Sequence, residues 1–264
     1  MKNWLVTLLI IIVFCFAWGF FIEPHMLKTK IYQLKNNQLK GLKIAFISDI
    51  HASPKQHEHL KEIVKQVNSH KPDIILLGGD FVKGHGIESS MPIEQIADEL
   101  GNFQAKYGVW GVLGNHDWWY GGEKIAQILK QNGINILMNE NVLINNPIKP
   151  FYLAGIEDLT TRSPDLFKAL NNTQKPVILL SHNPDIFPKV PAQVFLTLAG
   201  HTHGGQINIP FYGPIFTSSK FGKEYAYGKI EENGHTLIVT KGIGTSILPM
   251  RFFCAPEIVI IEFI

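Results

Sequence analysis

Apolar and polar positions along the chain fall into three regimes. Trp4 to Ile22 is almost wholly apolar, interrupted only by Thr7 and Gly19, and its length suits a helix crossing a bilayer core of roughly 30 Å. Residues 23–41 are rich in lysine, glutamine and asparagine, the composition of a solvated linker. From Leu42 onward the pattern changes again. Short continuous apolar runs at 42–48, 74–77, 107–113, 151–155, 177–180 and 195–199 alternate with segments whose apolar residues are spaced as on one side of a helix. Runs of that kind are strands covered on both faces, whereas Leu60, Ile63, Val64 and Val67 line a helix. The same spacing predicts helices over 92–104, 123–131 and 164–170. A hairpin is expected over 139–149, and short strands at 235–240 and 258–263.

The organisation that follows is an N-terminal anchor over 1–22, a lysine-rich linker over 23–41 and a folded domain over 42–264. A secretory signal peptide is the rival reading of the first segment, but its apolar region would be shorter and end in a small-x-small site, whereas the run Phe16-Ala17-Trp18-Gly19-Phe20-Phe21 is bulky. A single-pass span in a bacterial-type inner membrane is expected. Lys28, Lys30, Lys35, Lys40 and Lys43 follow the span, and the positive-inside bias places the domain on the cytoplasmic side.

Composition narrows the chemistry. The formal net charge is +2 and the pI about 8.4, with no basic stripe interleaved with aromatics, so nucleic acid is not an expected partner. No obligate protein partner is inferred. The two cysteines, Cys15 and Cys254, form neither a disulfide framework nor a thiolate zinc site. Any metal must therefore be held by His, Asp, Glu or Asn.

Those residues gather at strand ends. The run 42–48 stops at Asp49-Ile50-His51, 74–77 at Gly78-Gly79-Asp80, and 107–113 at Gly114-Asn115-His116-Asp117. The run 177–180 ends at Ser181-His182, and 195–199 enters Gly200-His201-Thr202-His203-Gly204-Gly205. The carboxyl ends of strands are where open α/β sheets bind ligands. Alternate residues of an extended loop point to opposite sides, so His201 and His203 suit two neighbouring ions better than one. His57, His59, His70, His85 and His235 are assigned to ordinary structural roles. A set of carboxylate, imidazole and amide ligands without thiolate suits two divalent ions, manganese, iron or zinc.

Taken together, Asp49-x-His51, Gly79-Asp80, Gly114-Asn115-His116-Asp117, Ser181-His182 and Gly200-His201-x-His203 resemble the five ordered motifs of the calcineurin-like metallophosphoesterases. Further runs, Asn183-Pro184-Asp185, Gly204-Gly205-Gln206-Ile207, Gly242-Ile243-Gly244 and Pro249-Met250-Arg251, are similar to the membrane-associated bacterial phosphodiesterase subgroup. One relative of that subgroup is a UDP-diacylglucosamine pyrophosphatase of lipid A synthesis. The resemblance implies an α/β fold in which two mixed β-sheets pack as a sandwich flanked by helices. It also implies that Asp49, His51, Asp80 and His203 hold one metal, and that Asp80, Asn115, His182 and His201 hold the other, with Asp80 bridging. A hydroxide shared by the metals would attack phosphorus, with His116 as general acid or charge stabiliser and Asp117 orienting it. The sequence departs from the family where the second motif commonly has another aspartate and this chain has Lys83.

Other roles stay open at this level. Arg251 is expected either to clamp a phosphate bidentately or to serve as a structural ion-pair partner. Trp118, Trp119 and Tyr120 either line an entrance or pack as core, and Phe211, Tyr212 and Phe216 pose the same choice. The expected function is hydrolysis of a phosphodiester or pyrophosphate bond in a membrane-associated or lipid-linked substrate. The lipid A pyrophosphatase is a narrower alternative, and a metal-binding scaffold without activity is the alternative of another class.

Overall fold

The computed structural model describes residues 2–84, 89–146, 150–174 and 176–264. Two six-stranded mixed sheets form its centre. The first contains β1 (Lys28–Leu34), β2 (Lys43–Ile47), β3 (Ile74–Leu77), β4 (Val109–Gly111), β5 (Ile134–Ile136) and β14 (Glu257–Phe263), in the order β1-β14-β2-β3-β4-β5. The second contains β6 (Glu140–Ile144), β7 (Phe151–Gly155), β8 (Val177–Leu180), β9 (Val194–Ala199), β12 (Gly228–Glu232) and β13 (His235–Val239), in the order β12-β13-β9-β8-β7-β6. β10 (Asn208–Ile209) and β11 (Gly213–Pro214) make a separate antiparallel pair.

Alternation along the central strands explains the layering. Ile44 and Phe46 of β2 and Ile74 and Leu76 of β3 point into a core shared with Ile178, Leu180, Leu196 and Leu198 of the other sheet. Their neighbours Ala45, Ile47, Ile75 and Leu77 face a second core covered by α2 (His57–Ser69), α3 (Ile93–Leu100) and α4 (Asn115–Gln131). A third core lies beyond the second sheet, beneath α5 (Leu166–Ala169) and a 3-10 segment over Pro184–Lys189. The expected sandwich flanked by helices is the observed architecture. Both faces of each central strand are buried, which is why these strands read as unbroken apolar runs.

Residues 23–41 depart from the expected linker. Lys28–Leu34 is β1, paired in parallel register with the whole of β14, and Leu34, Leu39 and Leu42 are buried in the core between the sheets. The lysines that made this segment look solvated lie on an edge strand, where charge discourages further pairing. α4 also begins earlier than expected, at Asn115 instead of 123, with a break at Gly121 where φ is 130°. Its first turn therefore carries the third motif. The predicted hairpin appears as β6 against β7, and the part of it at 147–149 lies outside the described residues.

The N-terminal apolar segment is helical. α1 (Lys2–Ala17) continues through a π-helical turn at Trp18–Ile22 and a 3-10 turn at Glu23–His25. Trp4–His25 is long and apolar enough to cross a membrane, and most of its side chains are exposed. Its end is tied to the domain. The Arg251 N–H donates to the Gly19 carbonyl at 2.9 Å, and the buried Glu23 carboxylate accepts the backbone N–H groups of Phe253, at 3.0 Å, and Cys254, at 2.5 Å.

Candidate metal centre

The carboxyl ends of the parallel strands in both sheets meet at one edge. Asp49 and His51 follow β2, Asp80 follows β3, and Asn115 and His116 open α4 after β4. His182 follows β8, and His201 and His203 follow β9. Backbone hydrogen bonds lock these ends together: the Asp49 N–H donates to the Gly79 carbonyl, the His51 N–H to that of Asp80, and the Gly200 N–H to that of His182. Only glycine fits at two of the junctions. A Cβ on Gly114 would collide with the Asp80 carboxylate, and one on Gly200 with the Asp49 carboxylate and the Ser48 hydroxyl. Five of the seven expected ligands adopt left-handed backbone angles, with φ of 54° at Asp49, 43° at His51, 55° at Asp80, 70° at His201 and 52° at His203. Such angles are strained for non-glycine residues and accumulate at functional sites.

All seven side chains converge. Asp80 Oδ2 stands 3.4 Å from both His51 Nε2 and His182 Nε2, between the two halves of the cluster. On one side His51 Nε2 lies 3.2 Å from His203 Nε2, and His203 Nε2 is 3.7 Å from Asp49 Oδ1. On the other, His182 Nε2 lies 3.1 Å from Asn115 Oδ1 and 3.2 Å from His201 Nδ1. Second hydrogen bonds fix the tautomers. The Nδ1–H of His51 donates to the Val82 carbonyl and that of His182 to the Gly78 carbonyl, at 3.2 and 2.8 Å, leaving each Nε2 lone pair pointing inward. Lone pairs facing lone pairs with carboxylates between them are the donor set of a cation pair. The residues present therefore fit a pair of divalent ions.

Electrostatics supports the same arrangement. Burial pushes His51 and His201 down to about 3 and His203 well below the ordinary histidine value, so all three are neutral donors at neutral pH. Burial raises Asp49 to about 6. Burial also acts to raise Asp80, but His182 and His51 outweigh it and hold the carboxyl well below the usual range. Burial alone would lower His182, yet the adjacent Asp80 lifts it to about 10, so a proton on its Nε2 competes with a cation for the same carboxylate.

Two expected roles change. Asp117 does not orient His116. Its carboxylate accepts the backbone N–H groups of Asp80, Phe81, Val82 and Gly114, at 2.7, 2.8, 3.2 and 2.9 Å. From the first turn of α4 its side chain reaches back to cap the helix, so it shapes the loop that presents Asp80. The partner of His116 Nδ1 is the Lys83 carbonyl, at 2.5 Å. Lys83, where the family pattern departs, thus contributes through its backbone. Arg251 is likewise no phosphate clamp. It is fully buried, and its guanidinium donates to the carbonyls of Lys241, Gly242, Gly244 and Cys254. Flanking Met250 and Phe252 were the sequence signal for that burial.

Above the metal cluster opens a cavity of about 860 Å³, lined by Asn115, His116, His201 and His203 at its floor. Leu159, Ile215, Phe216, Ile247 and Leu248 line its wall, with Thr160, Asn183 and Lys220 as polar points. Of the aromatic cluster, Trp119 is exposed and lines this cavity, whereas Trp118 and Tyr120 pack against the helical core. Among the histidines set aside, His57 pairs with Glu99 and His70 meets Thr29, whereas His85 lies outside the described residues.

Candidate metal ligands gathered at the shared edge of two packed sheets mark the metallophosphoesterase class, and the family model for calcineurin-like phosphoesterases matches residues 42–206. The chain belongs to that family and is a metal-dependent phosphoester hydrolase. It is 31% identical over 256 residues to an uncharacterized metallophosphoesterase, YkuE, of Bacillus subtilis, covering 93% of this chain and 88% of the relative. A metallophosphoesterase of Aquifex aeolicus is 34% identical, covering 91% and 93%. The phosphodiesterase YaeI of Escherichia coli is 30% identical, covering 94% and 93%.

Proposed function

We propose that this chain hydrolyses a phosphodiester or pyrophosphate bond in a lipid-linked substrate at the surface of the membrane that Trp4–Ile22 spans. The observation that carries the reading is the wall of the cavity: Ile215, Phe216, Ile247 and Leu248 stand beside the metal cluster, where an acyl chain would lie once a phosphoester group reached the floor. Two bound divalent ions would supply charge neutralisation at phosphorus and activation of water. Asp49, His51, Asp80 and His203 would hold one ion, and Asp80, Asn115, His182 and His201 the other. His116, fixed through Nδ1 by the Lys83 carbonyl, lines the cavity floor. We assign it the proton passed to the leaving oxygen. Asp117 keeps Asp80 in place through the backbone of the loop it caps. Lys220 and Asn183 would meet the polar headgroup. The lysines that follow the span favour the cytoplasmic face.

The test uses the full chain in detergent, stripped of metal and resupplied with manganese, iron or zinc. It is assayed against bis-p-nitrophenyl phosphate, a phospholipid diester and a UDP-linked acylated sugar. Metal-dependent turnover with a lipid-linked compound preferred over the small diester supports the reading. Preference for the small diester, with no cleavage of either lipid, would refute the lipid assignment while leaving the phosphoesterase chemistry intact.

A further inference from the structure

Five side chains of the segments 209–221 and 247–253 expose large apolar surface. Phe211 is fully exposed, Ile247 is 85% exposed, Phe216 72%, Tyr212 63% and Phe253 59%. Three of these positions are also strained. Phe211, Ile247 and Phe253 have φ of 66°, 62° and 50°, a region that bulky side chains avoid and a β-branched one most of all. The fold thus holds unfavourable backbone angles where it turns apolar side chains toward the outside, a combination that water alone would penalise twice.

These segments are continuous with the end of the apolar helix. Met250 stands against Gly19, and Arg251 donates its N–H to the Gly19 carbonyl. Phe253 donates to Glu23. The Asn208 side chain donates to the Phe253 carbonyl, its backbone N–H to the Phe252 carbonyl, and β10 then leads into the turn that carries Phe211 and Tyr212. The loop at 246–248 is fastened to the same body: the Gln206 amide donates to the carbonyls of Ser246 and Leu248 and accepts the Ser246 N–H. Lys223 lies at the border, its Nζ 2.9 Å from the Tyr212 carbonyl and 3.1 Å from the ring centroid, where an ammonium meets anionic headgroups.

We propose that this collar is a second membrane-contacting surface, inserted into the interfacial region of the bilayer beside α1, so that the mouth of the metal cavity opens into the lipid rather than into water. Ile247, Leu248 and Phe216 belong both to the collar and to the cavity wall, so a lipid could pass from bilayer to metal cluster along one apolar path. The inference rests on the reading of Trp4–Ile22 as a membrane anchor; it does not depend on the identity of the substrate.

The experiment places one environment-sensitive fluorophore at a time on full-length protein carrying Cys15→Ala, reconstituted in nanodiscs of phosphatidylcholine and phosphatidylglycerol. Buried Cys254 is left in place. The labelled positions are Phe211→Cys and Ile247→Cys in the collar, Leu9→Cys in the helix, and Phe167→Cys, which is 87% exposed on α5, as the aqueous reference. The collar labels are expected to shift their emission to the blue, to lose quenching by iodide and to gain quenching by nitroxide-bearing lipid, while the label at 167 does the reverse. If the label at 9 meets lipid and those at 211 and 247 behave like that at 167, the collar proposal fails and the anchor reading survives. A label at 9 open to iodide refutes the anchor and the collar together. Collar labels shielded from both quenchers would overturn the proposal in favour of a protein partner or a second copy of the chain.

Discussion

Replacing Arg251 with methionine separates a phosphate clamp from a buried brace. The guanidinium serves four backbone carbonyls, those of Lys241, Gly242, Gly244 and Cys254; Gly242 also accepts the Glu257 N–H, so methionine leaves the other three without a donor. At about 1 kcal/mol for each stranded acceptor the loss is about 3 kcal/mol. Relief from burying a charge returns part of it, for a net loss of about 2 kcal/mol. In a chain of this size that corresponds to a fall in Tm of about 6 °C. The variant should therefore melt early, measured by circular dichroism of detergent-solubilised, metal-loaded protein, yet show an unchanged KM for a diester below its melting range. Gly244 donates its N–H to the Asp49 carbonyl, so turnover is to be measured with metal in excess. A Tm within about 2 °C of the parent, combined with a KM raised about tenfold, would refute this reasoning and restore Arg251 to the substrate.

Replacement of Asp80 by alanine should abolish turnover and leave the protein unable to retain either ion, as read by elemental analysis after gel filtration; retained turnover would sink the bridging assignment. His116→Ala should lower kcat by about 10²–10⁴-fold with metal content unchanged, and a parallel loss of metal would make His116 a structural residue. Asp117→Asn should weaken metal retention and stability together, because the Asp80–Val82 loop loses one of the two oxygens that accept its N–H groups, whereas an effect on kcat alone would return Asp117 to the role of orienting His116. Metal retention should also fall as pH drops through about 6. There Asp49 takes up a proton, while His51 and His201, lowered to about 3, stay neutral. The sign for folding is opposite: with its pKa raised in the folded state, Asp49 adds stability to metal-free protein below the ordinary carboxylate range, and that increment is lost as pH rises through about 6. Equilibrium dialysis against zinc at pH 7.5 and 5 checks the binding limb, and equal occupancy would exclude Asp49 as its source.

How much could be read from the chain depends on how local each signal is. Asp49, Asp80, His182 and His201 were legible because each ends a strand buried on both faces, and such strands announce themselves as unbroken apolar runs. Asp117 was misread because adjacency in sequence suggested contact with His116, whereas the first turn of a helix sends an acidic side chain back toward the preceding loop. Nothing local marks the carbonyls of Gly78 and Val82 as the groups that fix two imidazole tautomers. β1 was hidden because an edge strand wets one side, which gives it the composition of a linker. Glu23, an acid directly after an apolar span, was a visible oddity whose partners, Phe253 and Cys254, lie at the far end of the chain.

The left-handed angles at Asp49, His51, Asp80, His201 and His203 carry a consequence for anyone engineering this protein. In the absence of metal, glycine at any of these positions would release about 1 kcal/mol of backbone strain, and at Asp49 it would also remove a carboxylate that burial penalises, whereas at Asp80 it would remove one that His182 and His51 stabilise. Outside Asp80, heat resistance and turnover therefore pull in opposite directions at residues that carry the chemistry. A library ranked only by survival on heating would enrich folded, inert variants, so each round must read catalysis as well as melting.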